Sequence, residues 1–256
     1  MPSNVVLYST TRLCTVPLIT DESVVNPLIV NGEIADEEKM SNLLISLSEQ
    51  LLDERNFDEL KIVATELPYS TRRHTEFISE FFFETLEATH LSINIPAQLS
   101  FMTLGVQTGL CLDIGHCCSH VTSFGEGFLI PHAVQRTQLS GSTLIKLMAT
   151  FAVTGKDSIK PDNANIQVVE NPKTMGELST ECLFNPNVFM EFSCDSKASS
   201  VLIEAPSLHQ LITKSITCTD LSYQGDIWSH IYVTGGGAQI PGIKERLTKE
   251  LRRLKP

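Results

Sequence analysis

The stretch Leu110-Cys111-Leu112-Asp113-Ile114-Gly115-His116-Cys117-Cys118-Ser119-His120-Val121-Thr122-Ser123-Phe124, continued by Gly125-Glu126-Gly127-Phe128, decides how this chain is read. Leu110–Ile114 is a short apolar run of the kind that forms a buried strand, and Gly115 breaks it. Ser119–Phe124 predicts a second strand, and Gly125-Glu126-Gly127 turns the chain into Phe128–Ile130. The pattern is that of two successive hairpins.

Upstream, the period changes. Asn4–Tyr8 is an apolar run closed by Ser9, Thr10 and Thr11, which suits a strand ending in a polar turn. Met40, Leu43, Leu44, Leu47 and Leu51 recur at helical spacing, with Asp36 as N-cap and Glu37 and Glu38 in the first turn. Leu60–Thr65 is a compact strand, and Pro68 with Ser70 introduces a helix whose apolar face carries Phe77, Ile78, Phe81, Phe82 and Leu86. Strand and helix therefore alternate, as in an α/β sheet. Downstream, a helix is expected from about Ser140 through Leu144, Leu147 and Met148, while residues 155–176 are polar and proline-bearing and read as an ordered loop at best. Ile231–Thr234 predicts a strand, Gly235-Gly236-Gly237 a glycine turn, and Pro241–Leu254 a helix opened by proline in its first turn.

With 256 residues and 42% hydrophobic content the chain can bury one large core or two small ones. A net charge of −11 repels phosphate backbones and anionic headgroups, so neither nucleic acid nor membrane is an expected partner. The densest basic run, Lys244 through Lys255, is interspersed with glutamates and reads as a solvated helix face. Seven cysteines, an odd number often set in apolar runs, indicate reduced thiols in a reducing compartment.

Three segments in this order resemble the actin family. Thr65-Glu66-Leu67-Pro68 with Phe83-Glu84-Thr85-Leu86 is similar to the family's Thr-Glu-x-Pro corner and Phe-Glu-Thr helix. Leu112-Asp113-Ile114-Gly115, Gly125-Glu126-Gly127, Pro131-His132-Ala133 and Leu139-Ser140-Gly141 resemble its second phosphate loop and the corners that follow. Val233-Thr234-Gly235-Gly236-Gly237 with Pro241-Gly242-Ile243 resembles its last nucleotide loop. The likeness covers roughly residues 24–151 and 181–254. It implies an α/β, ribonuclease-H-type fold with two inner lobes retained and the outer lobes and C-terminal segment reduced or missing. Residues 1–105 would form the first lobe, incomplete; 106–151 with 177–256 the second; and 152–176 a remnant of an outer lobe.

In this family triphosphate is held between glycine hairpins whose N–H groups form anion nests, with carboxylates arranging a metal. By resemblance, the residues of a degenerate ATP site are Asp113, Gly115, Gly235, Gly236 and Gly237. The first loop, Val5–Cys14, has Tyr8 or Ser9 where the family places aspartate, and no glycine. In the second, His116-Cys117 stands in place of Asp-Gly, and Pro96 falls where a glutamine orients the attacking water. Proline has no side-chain amide to do so.

Two other constellations are weaker. His116, Cys118 and His120 alternate along an expected strand and so share one face, which could hold zinc or a copper-like ion with a fourth ligand, but no companion metal motif accompanies them. Ser119 beside His120 points to the opposite face of a strand, which disfavours a hydrolase. The Phe81-Phe82-Phe83 cluster is expected to turn two rings into the core.

The resemblance thus implies a non-enzymatic scaffold subunit of a cytoskeletal or chromatin-associated assembly, with no catalytic residue and no metal. Its partners would be other subunits of a protein complex, with actin or another actin-related protein among the candidates. Relatives with decayed nucleotide sites serve in chromatin remodellers, in dynactin and in cilia or sperm cytoskeletons. The expected location is cytoplasmic and cytoskeletal, with the nucleus as alternative. The rival reading keeps ATP with magnesium as a weakly held structural ligand that is not efficiently hydrolysed.

Overall fold

The computed structural model of the chain describes residues 5–9, 29–30, 33–34, 36–51, 60–145, 148, 180–187 and 205–254. The loop expected at 155–176, and the outer-lobe remnant assigned to 152–176, lie outside the described residues. Two compact units emerge, Met1–Gln107 with Glu126–Leu129, and Thr108–Gly125 with Ile130–Pro256.

In the first unit, β1 (Val5–Ser9), β4 (Lys61–Thr65) and β5 (His90–Asn94) form a parallel sheet in the order β1-β4-β5, while β2 (Ile29–Val30) and β3 (Glu33–Ile34) make a separate antiparallel pair. Parallel neighbours require crossovers, and two helices lie between the strands in sequence. Helix α1 (Glu37–Leu51) starts as expected: the Asp36 carboxylate accepts the Lys39 backbone N–H at 3.1 Å, and Glu37 and Glu38 occupy the first turn. It buries Met40 and Leu44. Helix α2 (Arg72–Glu80) begins later than Pro68 and Ser70 suggest, because Thr71 takes the N-cap and accepts the His74 N–H.

From Phe81 to Thr85 the helix widens into a π-turn, with the Leu86 N–H reaching back to the Phe81 carbonyl at 3.3 Å. Phe81 and Phe82 are both buried, their rings edge-to-face at 5.6 Å, whereas Phe83 is 45% exposed. The first unit's core joins these rings to Met40, Leu44, Leu60, Ile62, Ala64 and Ile78. Between Leu86 and Leu110, where the reading of the sequence assigns no element, stand β5 and helix α3 (Pro96–Leu104). Helix α3 is defined by its ends instead: Pro96 at the first turn and Gly105 at φ 67°, a left-handed stop.

The second unit is built on β6 (Gly109–Ile114), which pairs antiparallel with β7 (Ser119–Gly125) and parallel with β10 (Ile231–Thr234); β9 (Gln135–Thr137) pairs with the other edge of β7. A short strand β8 (Phe128–Leu129) follows the Gly125–Gly127 turn. Leu110, Cys111, Leu112 and Ile114 of β6 are all buried, as a strand between two neighbours requires. Against the sheet pack α4 (Leu208–Thr217), α5 (Leu221–Ser229) and α6 (Ile243–Leu254); the core joins Leu208, Leu211 and Ile212 to Ile227, Ile243 and Leu247. Helix α6 does not start at Pro241. Gly242 has φ 82°, outside the right-handed helical region, so Pro241 and Gly242 form a turn and the helix opens at Ile243.

Among the described residues no helix is long and apolar enough to cross a membrane.

Candidate functional site

All five residues read as a degenerate nucleotide site belong to the second unit, and the sheet brings them together. Thr234 is the register partner of Asp113 across β10 and β6, so the glycines leaving β10 lie beside Ile114 and Gly115 leaving β6. The three glycines are not equivalent. Gly235 has φ 85°, and a Cβ there would sit 2.5 Å from the Ile114 carbonyl oxygen and would also collide with the Asp113 carboxylate. At Gly237 a Cβ would come 2.7 Å from the Ile114 Cβ, whereas at Gly236 it would meet nothing within 4 Å. Two of the three positions are therefore glycine because the end of β6 occupies the space.

Gly115 is constrained in the same way. Its N–H donates to the Cys118 carbonyl at 3.2 Å, and a Cβ would lie 2.8 Å from that oxygen. The loop's own carbonyls are engaged by the helical segment that begins at Gly141. The Gly141 N–H donates to the Gly115 carbonyl at 2.9 Å, and the Ser142 N–H to the His116 carbonyl at 2.8 Å. The sequence motif Leu139-Ser140-Gly141 thus pins the hairpin turn through two helix-start donors, which helices otherwise leave unmatched.

One pairing at this corner becomes visible only through the register. Asp113 and His120 are cross-strand partners on β6 and β7. His120 is buried, and burial lowers its pKa while the Asp113 charge acts in the opposite direction. The signal lay in the symmetry of the hairpin: both residues are equidistant from the turn between Ile114 and Ser119. Nearby, Thr234 Oγ1 lies 3.4 Å from Cys111 Sγ, and burial pushes the Cys111 thiol up to about 11. Cys111 is therefore a core thiol with little thiolate at neutral pH.

The expectation that residues 116–120 form one extended face is not met. Strand β7 starts at Ser119, and 116–118 belong to the turn, so His116, Cys118 and His120 do not alternate along a strand. Among the described residues no group of three or more His, Cys, Asp or Glu is placed to hold a metal ion. The Ser119 hydroxyl donates to the Leu139 carbonyl, which gives it a structural role.

The sequence matches the actin family model over residues 16–177 and again over 161–256. This chain is a member of the actin family. Its α/β architecture, with a parallel β1-β4-β5 sheet and a mixed β10-β6-β7 sheet, is that of an actin-like fold.

His120, which is buried, and His209, which is half-buried, give this actin-family chain a defined pH response. Burial lowers the pKa of His120, and also that of His209 despite the opposing charge of Glu250. A depressed folded-state value means the stability contribution is complete above the ordinary histidine value of about 6.5 and is lost as pH falls through the lowered values. Urea midpoints should therefore drop between about pH 7.5 and about pH 5. His209→Gln should flatten that slope; an unchanged slope in both His120→Gln and His209→Gln would assign the response elsewhere.

Proposed function

We propose that this chain is a non-catalytic actin-family protein that serves as a structural subunit of a larger protein assembly. The carrying observation is the corner between β6 and β10. Gly235 and Gly237 make close contact with Ile114, so a packing requirement accounts for them without a phosphate. The rest of the family's machinery is replaced: Pro96 opens α3 at the position that resembles the water-orienting glutamine, and His116-Cys117 fills the turn where an Asp-Gly pair would stand. The residues at this corner do not fit a tight triphosphate clamp. The expected partners are other protein subunits in a cytoskeletal assembly, with a chromatin-associated one as the alternative.

A second reading, ATP as a structural ligand, draws on two features of the same corner. Gly236 is exposed with open space around it, and Asp113 is only half-buried. Titration with a fluorescent ATP analogue and magnesium separates the two. The scaffold reading expects no saturable micromolar binding and phosphate release at buffer background. Saturable binding abolished by Asp113→Ala would establish nucleotide as a structural ligand, and turnover abolished by the same change would overturn the non-catalytic assignment. Affinity capture of the tagged chain should recover a stoichiometric set of protein subunits, and their identity would fix the assembly and its compartment.

A further inference from the structure

The turn between β6 and β7 carries two adjacent thiols to which the scaffold reading gives no role. Of the seven cysteines, Cys14 and Cys194 lie outside the described residues. Cys111 and Cys182 are buried, and burial pushes their thiols up to about 11 and about 12. Cys218 caps the end of α4 without a neighbouring cysteine in sequence. Only Cys117 and Cys118 are consecutive, and both are partly exposed. They also lie outside either strand, so the alternation that would turn their side chains to opposite faces does not apply.

We propose that Cys117 and Cys118 form a reversible redox pair, oxidised by hydroperoxides to a vicinal disulfide within the hairpin turn. One thiolate attacks the peroxide, the O–O bond breaks, and a sulfenic acid forms with release of hydroxide. The neighbouring sulfur then attacks the sulfenyl sulfur; the S–S bond forms, the S–O bond breaks and a second oxygen leaves as water once protons are supplied by the two thiols. Two thiols lose two electrons in total, and one hydrogen peroxide becomes two waters.

Both ends of the turn are held, by Gly115 N–H on the Cys118 carbonyl and by Gly141 and Ser142 N–H on the Gly115 and His116 carbonyls. Adjacency in sequence puts the two thiols within reach of each other, and the fixed ends confine the deformation on closure to the Cys117–Cys118 peptide. Consecutive Cα atoms are about 3.8 Å apart, short of the usual disulfide span of about 4.4–6.8 Å. The bond formed is therefore strained and readily reduced, which suits a switch better than a staple.

The test uses the full chain, treated with stoichiometric hydrogen peroxide, alkylated under denaturing conditions and digested. The peptide spanning Cys117 and Cys118 is expected to be lighter by two hydrogens and to resist alkylation at both sulfurs. The product should form equally at high and tenfold lower chain concentration, revert with dithiothreitol, disappear in Cys117→Ser and in Cys118→Ser, and persist in Cys111→Ser. A gain of one or two oxygens on a single sulfur, a bridge to Cys111, or a disulfide between chains in place of this product would overturn the proposal.

Discussion

Gly235→Ala is expected to lower the unfolding free energy of the second unit by about 2–5 kcal/mol, and Gly237→Val by a similar amount. At Gly235 two penalties act together. The left-handed φ of 85° strains any L side chain, and the new methyl meets the Ile114 carbonyl oxygen at 2.5 Å. The Asp113 carboxylate, which also stands in the way, is a side-chain tip that can turn aside, but the Ile114 carbonyl is backbone of a strand paired on both sides and cannot. At Gly237 the obstruction is the Ile114 side chain itself, which cannot swing away without opening the core. Gly236→Ala is the internal control: with nothing within 4 Å it should change stability by less than about 1 kcal/mol. Trp228 is the sole tryptophan and packs against the second unit's core, so its fluorescence in a urea titration reports this unit. Three equal, small effects would show that the glycines are not packing devices and would restore a ligand as their explanation.

Arg246→Ala should cost about 2–3 kcal/mol at neutral pH, at or below the ~3–5 kcal/mol of a fully buried pair because the arginine keeps some contact with solvent. Its guanidinium donates to Glu181 at 2.9 Å, lies 3.3 Å from Glu250 and sits over the Phe184 ring at 5.4 Å. The Glu181 side chain is 10% exposed and that of Arg246 30%, so deletion of the arginine leaves a nearly buried carboxylate without its cation. Burial already raises the Glu181 pKa, with Arg246 the main opposing influence. The sign follows. Without the arginine the folded-state value rises further, and the deficit should shrink as pH falls through it and Glu181 takes up a proton. Glu181→Gln should rescue part of the loss in the double variant. Full additivity of the two substitutions would falsify a direct pairing.

The fold was legible wherever one physical rule dominated. Helical apolar spacing gave α1, an apolar run ended by glycine gave β6, and Ile231–Thr234 matched β10 residue for residue. Elements defined by their ends were harder to see: α3 has little apolar periodicity and is set by Pro96 and Gly105. A proline-based start for α6 failed because the left-handed Gly242 follows Pro241. Within the candidate site, the residue types at Asp113, Gly115 and Gly235–Gly237 could be read directly, but their reasons could not. That Gly235 and Gly237 yield to Ile114, and that Asp113 faces His120, depends on strand register, which is a property of pairs distant in sequence.

The pairing of β10 with β6 also sets a schedule for synthesis on the ribosome. Val233 partners Leu112, a separation of 233 − 112 = 121 positions, so one edge of the central strand emerges long before its neighbour exists. At about 5–20 residues per second that interval is roughly 6–24 s, during which the hydrogen-bonding edge of a strongly apolar strand has no native cover. β7 follows at once and protects only the other side. That open edge is where an unfinished chain can pair wrongly with a neighbour, so faster synthesis of the segment between β6 and β10 should shorten the interval of exposure.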